Sequence, residues 1–514
     1  MPRALLSVSD KTGIVDFGRE LIETGWELVA SGGTAKALQD AGLAVTPVEQ
    51  LTGLPEMLGG RVKTLHPAIH AGILVRDKAD DMDELAEHGY APINMVVCNL
   101  YPFQETVAQL GVTLQDAIEK IDIGGVTLIR AAAKNFFRVV TVCDPEDYSR
   151  VLEGLRGADG IELAIRRDLA VKAFAHTRDY DTAIHAFLSQ DVSAPAAEES
   201  VDLPEHLAFA VHGVEQLRYG ENPHQSATYY AKQATESPLG AKQLGGKQLS
   251  YNNILDVDSS WRAVSSFDTP TVVIVKHLTP TGIATGDKLI EAFPQALASD
   301  PVSAFGGIIA VNRTVDADFV TALGSLFVEA IAAPDFTEDG IEALLSSRKN
   351  CRILQMSKPY DRNALDIRAV HGGLLVQRLD NGDPDGTLLK TVTERAPSSD
   401  ELAALEFVWK ACQHVKSNAI VLGKRNRTVG VGGGLPSRVD AVELAVKKAG
   451  DEATGAVLAS DAFFPFPDGI EAAAAAGITA VIQPGGSIRD NKVIEAANAA
   501  GLAMVFTGTR HFRH

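Results

Sequence analysis

The chain has 514 residues, of which 46% are hydrophobic, so it is long enough to bury cores in at least two domains. Its 66 acidic residues outnumber 47 basic ones, and the formal net charge of -19 excludes a general electrostatic attraction to nucleic acid or to an anionic membrane. We therefore predict no nucleic-acid or membrane partner, and expect any phosphate to be bound by a local site.

The cysteines and the N-terminal segment set further bounds. Cys98, Cys143, Cys351 and Cys412 are dispersed and form no CxxC pair, so neither a zinc cage nor a disulfide framework is indicated. The segment MPRALLSVSD turns polar too early for a signal peptide, and no apolar run approaches the roughly 18 residues that a membrane-spanning helix needs. We predict a cytoplasmic, soluble protein with core thiols and no metal site.

Residues 1–195 are predicted to form a first α/β domain. From Ala4 the chain alternates apolar strands with amphipathic helices. The second predicted strand runs into four residues that precede a helix, namely Ser31, Gly32, Gly33 and Thr34. Free backbone N–H groups and hydroxyls in such a turn can bind phosphate. A tight connection without a ligand is the alternative.

The segment 59–67, GGRVKTLHP, has neither helical nor strand periodicity. It places Arg61, Lys63, Thr64 and His66 in a loop bounded by glycine and proline. Loops this dense in cations, hydroxyls and imidazoles more often bind ligands than pack into a core. We predict a binding loop.

Further polar residues follow two later elements of this domain. Tyr101 comes after the strand NMVVC, Asp122 precedes a glycine pair, and Lys134 lies near the end of the next helix. Asp122 can alternatively be a helix cap, and Lys134 a solvated charge that favours the helix dipole. Together with Lys63 these side chains predict a pocket of mixed charge.

A linker separates this domain from a second one, predicted as residues 196–514. Residues 190–204 lose hydrophobic periodicity and gather Ala, Ser, Pro and Glu. Beyond them, residues 217–225 are dense in polar groups, and Asn253 stands where a helix begins, so capping alone can explain it. The last predicted elements are a helix, a strand, a glycine turn, a helix and a strand, followed by HFRH, to which we assign no role.

The segment 271–282, TVVIVKHLTPTG, combines a buried strand with two bases. Neighbouring residues on a regular strand face opposite sides, so Lys276 and His277 can act on one ligand only if the chain leaves strand geometry there. Pro280 and Gly282 predict such a turn. A solvated lysine and a histidine with a local hydrogen bond are the alternative.

The motifs also resemble, in order and nearly end to end, those of a known family. They are SVSDKTG, SGGTAKAL, GGRVKTLHP, NLYPF, IDIGG, AAAKN, RYGENPHQ, YNN, VKH, DPVSAFGG, KSNAI and SDAFFPF. This set resembles the bifunctional purine-biosynthesis family that joins AICAR transformylase to IMP cyclohydrolase. The resemblance implies an N-terminal parallel-sheet domain similar to methylglyoxal synthase and a C-terminal transformylase of two cytidine-deaminase-like α/β units. It also implies 10-formyltetrahydrofolate as co-substrate, and a homodimer with transformylase sites between subunits.

The resemblance also implies roles for residues of the first domain. The cyclisation site would contain Lys63, Tyr101, Asp122 and Lys134, and the nucleotide would be held by Ser31 to Thr34, Arg61 and Thr64. Ring closure needs a carboxamide nitrogen brought onto a formyl carbon, with the oxyanion stabilised. We expect Lys63 and Tyr101 to donate to the oxygen, and Asp122, oriented by Lys134, to take the amide proton.

In the second domain the resemblance implies that Lys276, His277 and Asn418 carry formyl transfer. His277 would take the amine proton, kept neutral by the adjacent Lys276, and Asn418 would bind the formyl oxygen. The nucleotide site would be lined by Arg218, Tyr219, Gly220, Asn253 and Phe305. The folate side would contain Glu329, Arg438 and Phe464. Core packing is the alternative for both phenylalanines, and a helix-surface position for Glu329.

The sequence departs from the family pattern at two places and excludes some rival functions. Leu435 and Pro436 stand where a Gln-rich loop is common, and LTPTG where ANPCG is frequent. HxE and PCxxC motifs are absent, so zinc-dependent deamination is not expected. GVGGGLPSR fails the dinucleotide-binding spacing. The remaining alternative is a non-catalytic nucleotide-sensing or scaffold protein on the same folds.

Overall fold

A computed structural model describes residues 1–109, 111–157, 160–189, 203, 207–232, 235–356 and 360–514. Two compact units, Met1–Ala210 and Val211–His514, divide the chain. The boundary predicted between residues 195 and 196 lies outside the described residues. Each unit is described by itself below.

Unit 1 alternates strands and helices, as its sequence predicts. Its strands are β1 Arg3–Ser7, β2 Glu27–Ala30, β3 Thr46–Pro47, β4 Met95–Cys98 and β5 Val140–Val142. Its helices are α1 Ile14–Glu23, α2 Gly32–Asp40, α3 Val48–Thr52, α4 Pro67–Leu74, α5 Ala79–Glu87, α6 Phe103–Val107, α7 Leu114–Ile118, α8 Gly124–Lys134, α9 Tyr148–Arg156 and α10 Leu163–Leu188. The described strands form one parallel sheet in the order β3-β2-β1-β4-β5.

The strand order of unit 1 explains where its polar loops meet. Alternate residues of β1 feed two cores, with Leu5 in the core on one face of the sheet and Ala4 and Leu6 in the core on the other. From β1 the strands are added first on one side, as β2 and β3, and then on the other side, as β4 and β5, so a switch point lies between β1 and β4. Ligands bind α/β sheets at the carboxyl ends of the strands beside such a switch point. The loops after β1, β2 and β4 lie at this edge.

Unit 2 contains the remaining elements. Its strands are β6 His212–Leu217, β7 Ala227–Ala231, β8 Ala241–Gly245, β9 Thr271–Lys276, β10 Thr279–Thr285, β11 Gly307–Val311, β12 Val328–Ala333, β13 Arg352–Met356, β14 Leu365–Val370, β15 Gly373–Arg378, β16 Lys390–Thr391, β17 Ile420–Lys424, β18 Arg427–Gly432, β19 Val457–Ser460, β20 Ala480–Gln483 and β21 Ala503–Phe506. Its helices are α11 Tyr251–Val264, α12 Leu289–Ser299, α13 Pro301–Ala304, α14 Ala317–Ala322, α15 Glu338–Ser347, α16 Ser399–Cys412, α17 Arg438–Ala449, α18 Asp468–Ala475 and α19 Asp490–Ala499.

Within its described residues, unit 2 builds a mixed sheet of twelve strands from two halves of the same topology. The order is β16-β21-β20-β19-β17-β18-β10-β9-β11-β12-β13-β8. Each half begins with an antiparallel hairpin, β9/β10 or β17/β18. Three further strands follow beside the first strand of the hairpin and run parallel to one another. The halves join where β10 pairs antiparallel with β18. The overall α/β class predicted from the sequence is confirmed.

The cores of unit 2 follow from this sheet. One face carries a core shared by both halves, to which α11 and α16 contribute Trp261 and Trp409. The other face carries a separate core for each half, with Phe293 on α12 in one and Phe464 in the other. Strand β9 is buried on both faces from Thr271 to Val275, which explains its uninterrupted apolar sequence.

The turn after β9 differs from its prediction. The chain reverses at His277 and Leu278, which have φ of 52° and 65°, and Lys276 pairs with Thr279 across this two-residue turn. Pro280 and Gly282 lie inside β10, so the predicted Pro/Gly turn is wrong. Pro280 stands beside a bulge, where proline is tolerated in strands, and a Cβ at Gly282 would collide with the carbonyl oxygen of Ala296 on α12.

Two further expectations concern burial. All four cysteines are buried and free, which confirms that they are core thiols. Among the described helices, none combines the length and apolar character required to cross a bilayer.

Candidate functional site

The glycine turn after β2 lies at the carboxyl edge of the unit 1 sheet. Ser31 precedes α2, which begins at Gly32, and its hydroxyl lies 2.8 Å from the hydroxyl of Ser7 at the end of β1. Thr34 is buried, and its hydroxyl exchanges hydrogen bonds with the backbone of Val8, at 3.0 and 3.1 Å. The Thr34 hydroxyl therefore fastens the turn to β1, whereas the helix N-terminus offers its backbone N–H groups to an anion.

Lys63 extends from the 59–67 loop toward this turn. Its Nζ lies 2.9 Å from the position that a Cβ on Gly32 would take, so a side chain there would displace the ammonium. Lys63 donates to Glu56 at 2.9 Å and lies 3.5 Å from Glu49. Burial opposes the charged form of Lys63, but the hydrogen bond to Glu56 and both carboxylates outweigh it and raise its pKa. Lys63 is a cation at neutral pH.

Asp122 lies in the segment just before α8. Its carboxylate accepts from the backbone N–H of Gly125 at 2.7 Å and from that of Tyr101. Burial raises the pKa of Asp122, although both hydrogen bonds oppose the shift. The backbone N–H of Asp122 donates to the hydroxyl of Tyr180 at 2.8 Å, which fixes this segment to α10. Asp122 is thus a positioned carboxylate with enhanced basicity.

Thr64 connects these two ends of the site. Its hydroxyl lies 2.8 Å from the position that a Cβ on Gly124 would take, next to the Asp122 segment. The adjacent Lys63 contacts the glycine turn. The loops after β2 and β4 stand two strand spacings apart, about 10 Å, because β1 lies between them. A nucleotide can span that distance, with its phosphate at Gly32 and its base near Tyr101 and Asp122.

Lys134 lies far from Asp122 within one chain, and Arg61 has a partner on the protein. Lys134 ends α8, whereas Asp122 precedes its start, so roughly 15 Å of helix separates them. The interpretation that Lys134 orients Asp122 is therefore wrong within one subunit. Arg61 is exposed and forms an ion pair with Glu119 near the end of α7. Tyr101 is half exposed, so its ring is accessible to a ligand.

Lys11 and Asn99 belong to the site but were not singled out from the sequence. The Lys11 ammonium lies 3.7 Å from the position of a Cβ on Gly33, which adds a second cation to the phosphate turn. The Asn99 side chain accepts from the backbone N–H of Ser9 at 2.6 Å and of Asp10 at 3.0 Å, and so ties the ends of β1 and β4 together. The sequence feature that could have identified both residues is their position shortly after predicted strands.

In unit 2 the turn after β9 is held by a residue of α11. The carboxylate of Asp256 accepts from the backbone N–H of His277 at 3.2 Å and of Leu278 at 2.6 Å. This contact offsets the left-handed conformation of both residues. The His277 side chain is exposed, and the neighbouring Lys276 donates from Nζ to the carbonyl of Phe305 at 2.7 Å. The turn presents the imidazole to solvent on a fixed backbone.

Asn418 lies just before β17 in a dense polar network. Its Nδ2 donates to the carbonyls of Leu435 at 3.0 Å and Pro436 at 2.9 Å, and its Oδ1 accepts from Arg438 at 2.7 Å. The family departure at Leu435 and Pro436 therefore leaves this contact intact, because it uses backbone carbonyls. The amide of Asn418 is fixed in orientation by three partners.

Arg438, which was predicted to face folate or phosphate, forms a buried ion pair with Asp461. Only 8% of Arg438 is exposed, and it donates to the fully buried Asp461 at 2.6 Å and to Ser460 at 2.7 Å. The guanidinium is neutralised by Asp461 and also donates to Asn418 at 2.7 Å, so it stabilises the loop that carries this amide. Asp461, absent from the sequence-based site, is the residue that decides this outcome.

The Arg438–Asp461 pair predicts a large stability effect. Replacing Arg438 by alanine leaves the carboxylate of Asp461 buried and unpaired, so we expect the unfolding free energy of unit 2 to fall by about 3–5 kcal/mol. Arg427→Ala is the control, because Glu452 in that pair is half exposed and the loss should stay below about 1 kcal/mol. Urea unfolding followed by tryptophan fluorescence measures both; equal losses would contradict the expectation.

Phe464 differs from its predicted surroundings, whereas Glu329 differs only from its alternative, a position on a helix surface. Phe464 is 1% exposed in the core of its half, so core packing, the alternative considered above, is what the structure shows. Phe466, two residues on, is 49% exposed, and Arg489 lies 4.3 Å from its ring centroid. Glu329 lies on strand β12, not on a helix surface, and pairs with Arg352.

The remaining predicted residues gather near the start of α11 and of β11. Asn253 completes a capping box with Ser250, whose hydroxyl donates to it at 2.9 Å. The ring of Tyr219 lies 5.5 Å from the Arg218 guanidinium, and Gly220 donates to the carbonyl of Gln225 at 2.7 Å to close the loop after β6. The ring of Phe305 is 59% exposed, 5.4 Å from that of Phe327.

Sheet pairing brings the candidate residues of unit 2 to one edge. Strand β10 pairs antiparallel with β18, so the turn at His277 lies at the end of the sheet where β18 ends and β17 begins. Asn418 precedes β17, two strand spacings from β10, or about 10 Å. Phe305 precedes β11, the neighbour of β9 on its other side. A base, an amide and an exposed ring therefore share one edge, where the two halves meet.

Comparison with known proteins bears on both units. A family model for the AICARFT/IMPCHase bienzyme matches residues 132–448, more than half of the chain. The chain belongs to the AICARFT/IMPCHase bienzyme family. A model for the MGS-like domain matches residues 13–127, which lie in the parallel-sheet unit. The resemblance recognised from the motifs is confirmed.

Individual relatives extend this match to the whole chain. The bifunctional purine biosynthesis protein PurH of Sorangium cellulosum (strain So ce56) is 50% identical over 526 residues, covering 100% of this chain and 99% of that protein. PurH of Desulfitobacterium hafniense (strain DSM 10664 / DCB-2) is 48% identical over 521 residues with the same coverage. A solved chain described as the crystal structure of ForH covers 36% of this chain and 98% of its own length, at 36% identity and a TM-score of 0.33.

Proposed function

We propose that this member of the bienzyme family performs its two reactions at the two sites described above. It is an AICAR formyltransferase and an IMP cyclohydrolase of purine biosynthesis. The observation that carries this conclusion is identity near 50% along the full chain to relatives named as bifunctional. Unit 2 transfers a formyl group from 10-formyltetrahydrofolate to AICAR, and unit 1 closes the ring of formyl-AICAR to give IMP.

The edge of the sheet that holds the His277 turn carries the groups that formyl transfer requires. The AICAR amine attacks the formyl carbon, and His277 takes the amine proton as the new C–N bond forms. The Asn418 amide exchanges one of its two backbone carbonyl partners for the developing oxyanion, and Lys276 supplies positive charge. The bond from the formyl carbon to the folate nitrogen then breaks, and that nitrogen takes up a proton. The ring of Phe305 stacks on the imidazole of AICAR. The nucleotide pocket is lined by Arg218, Tyr219, Gly220 and Asn253, and Glu329 lies on the folate side.

Ring closure follows from the geometry of unit 1. The phosphate of formyl-AICAR binds the turn at Gly32 and Gly33, with Lys11 close by. The carboxamide nitrogen attacks the formyl carbon of the same molecule, Asp122 accepts the proton of that nitrogen, and the formyl oxygen is protonated to a carbinol hydroxyl. The formamide nitrogen then loses its own proton and forms a C=N bond, as the carbinol oxygen takes up a second proton and leaves as water. Tyr101 donates to that oxygen, as does Lys63 once it exchanges Glu56 for the substrate.

The basicity of Asp122 predicts the acidic limb of the cyclohydrolase pH profile. Burial raises the Asp122 pKa above its usual value of about 3.9, and only the ionised form accepts a proton. We expect kcat/KM for supplied formyl-AICAR to fall as pH drops through this raised pKa. The pH profile of formyl transfer should have its acidic limb at a different pH, because Asp122 takes no part in that reaction. Stopped-flow absorbance across the acidic range measures it. A limb at the pH of an exposed aspartate would contradict the role of Asp122.

One assay separates this function from a sensor or scaffold on the same folds. The enzyme is mixed with AICAR and 10-formyltetrahydrofolate, and tetrahydrofolate and IMP are followed. Both products are expected; the absence of both would refute the enzymatic proposal, and accumulation of formyl-AICAR would confine the loss to unit 1. We further propose a cytoplasmic homodimer whose transformylase sites form between subunits.

A further inference from the structure

The segment 507–514, which ends in the HFRH to which no role was assigned from the sequence, runs alongside the Asn418 loop. The backbone N–H of Ser417 donates to the carbonyl of Arg513 at 2.8 Å, and the N–H of Arg513 returns a hydrogen bond to the Ser417 hydroxyl at 3.2 Å. The N–H of His511 donates to the carbonyl of Asp461 at 3.0 Å. This segment therefore forms backbone hydrogen bonds with Ser417, which is adjacent to Asn418, and with Asp461, which neutralises Arg438.

The Arg513 guanidinium continues this connection toward the His277 turn. One end donates to the carbonyl of His414 at 2.8 Å, and the other to the hydroxyl of Ser259 on α11 at 3.1 Å. Ser259 is 1% exposed, and its hydroxyl donates in turn to the carbonyl of Leu278 at 3.1 Å. One side chain thus bridges α11 of the first half to the segment that precedes β17 in the second.

The segment is itself anchored by a buried histidine. His511 is 2% exposed, and its ring nitrogens contact Asp380 at 2.7 Å and Asp383 at 3.0 Å. These two carboxylates overcome the opposing effect of burial and raise the pKa of His511 to about 9, so the ring is charged at neutral pH. Trp409 donates to Asp383 at 2.8 Å. Arg513 therefore extends from a fixed backbone.

We propose that Arg513 is a positioning residue for formyl transfer, which couples the turn carrying His277 to the segment carrying Asn418. This inference rests on the proposed function of unit 2. The base and the amide come from different halves of the sheet, next to strands β10 and β17, which stand about 10 Å apart. Their separation must be held closely while the amine attacks, because a displacement of about 1 Å can lower a rate about 100-fold.

The primary test compares Arg513→Gln with a matched control. Arg513→Gln should lower kcat for formyl transfer about 10- to 100-fold and change KM for AICAR less than about threefold, since Arg513 does not contact the substrate. Arg513→Lys keeps one donor and should recover part of kcat. Arg313→Gln is the control, because Arg313 donates to the carbonyls of Asn312 and Asp268 at the opposite edge of the sheet. Its kcat should stay within about twofold of wild type.

A double-mutant cycle distinguishes coupling from a general loss of stability. Ser259→Ala removes the hydroxyl between Arg513 and Leu278, so the double variant should lose no more kcat than Arg513→Gln alone. Tryptophan fluorescence reports the folded state of unit 2 through Trp261 and Trp409. Should Arg513→Gln fail to fold, Arg513→Lys and Ser259→Ala carry the test, each with an expected loss of about fivefold or more in kcat.

The outcomes are separable. Additive losses in the cycle, or wild-type kcat in folded Arg513 and Ser259 variants, would overturn the positioning role. A wild-type enzyme without formyl transfer would refute the proposed function itself. An active wild type with an unaffected Arg513→Gln variant would refute only this inference.

Discussion

His277→Ala is expected to lower the rate of formyl transfer to AICAR by about 10²- to 10⁴-fold, the range contributed by a general base, and to leave conversion of supplied formyl-AICAR to IMP unchanged. The imidazole is exposed on a turn whose backbone is held by Asp256, so its removal deletes the base without removing a packed side chain. On the function proposed here, ring closure uses residues of unit 1.

Two assays on one preparation check this expectation. Formyl transfer is followed by the release of tetrahydrofolate, and ring closure by IMP formed from supplied formyl-AICAR. His371→Ala is a matched control, because His371 is an exposed histidine in the turn between β14 and β15. Loss of both activities in a folded His277 variant would refute the assignment of one reaction to each unit.

Lys63→Ala is expected to lower kcat for ring closure by about 10²- to 10³-fold, as removal of one oxyanion donor does, with formyl transfer retained. The ammonium is charged at neutral pH and lies between Glu56 and the turn at Gly32. Once the ammonium leaves Glu56, the flexible Lys63 side chain can swing from the turn toward the reacting oxygen.

The kinetic constants distinguish the role of Lys63 from simple phosphate binding. A donor to the oxyanion lowers kcat, whereas a phosphate contact made equally in ground and transition states raises KM alone. Lys11→Ala provides the comparison, since Lys11 lies beside Gly33 and should act mainly on KM. Lys78→Ala removes an exposed lysine before α5 and should change neither constant. Unchanged ring closure in Lys63→Ala, or a rise in KM alone, would contradict the oxyanion role.

Periodicity and loop composition predicted much of both units. The alternation of apolar runs and helical patterns predicted the α/β class, and the buried run before Lys276 became β9. The glycine turn at Gly32, the 59–67 loop and Asp122 were correctly expected at loop positions, and they meet because parallel strands carry their following loops to one edge.

The sequence alone could not decide, for individual side chains, between a ligand and a partner inside the protein. Arg438 and Phe464 have residue types common in binding sites, but Asp461 neutralises the first and the core of its half encloses the second. Lys134 and Asp122 are close in sequence, yet a helix holds them apart along its axis. Such choices depend on contacts between residues distant in the chain.

The sequence by itself determined the fold class, the family and the residue types of both sites, because these are carried by local periodicity and by motifs of neighbouring residues. Only the tertiary structure decided that the reversal after β9 occurs at His277 and Leu278, and that Asn418 lies about two strand spacings from β10. It also decided that Arg513 contacts Ser259 through its side chain and Ser417 through its backbone. The pairing of β10 with β18 sets that distance, and strand pairing between distant segments depends on packing across the whole sheet.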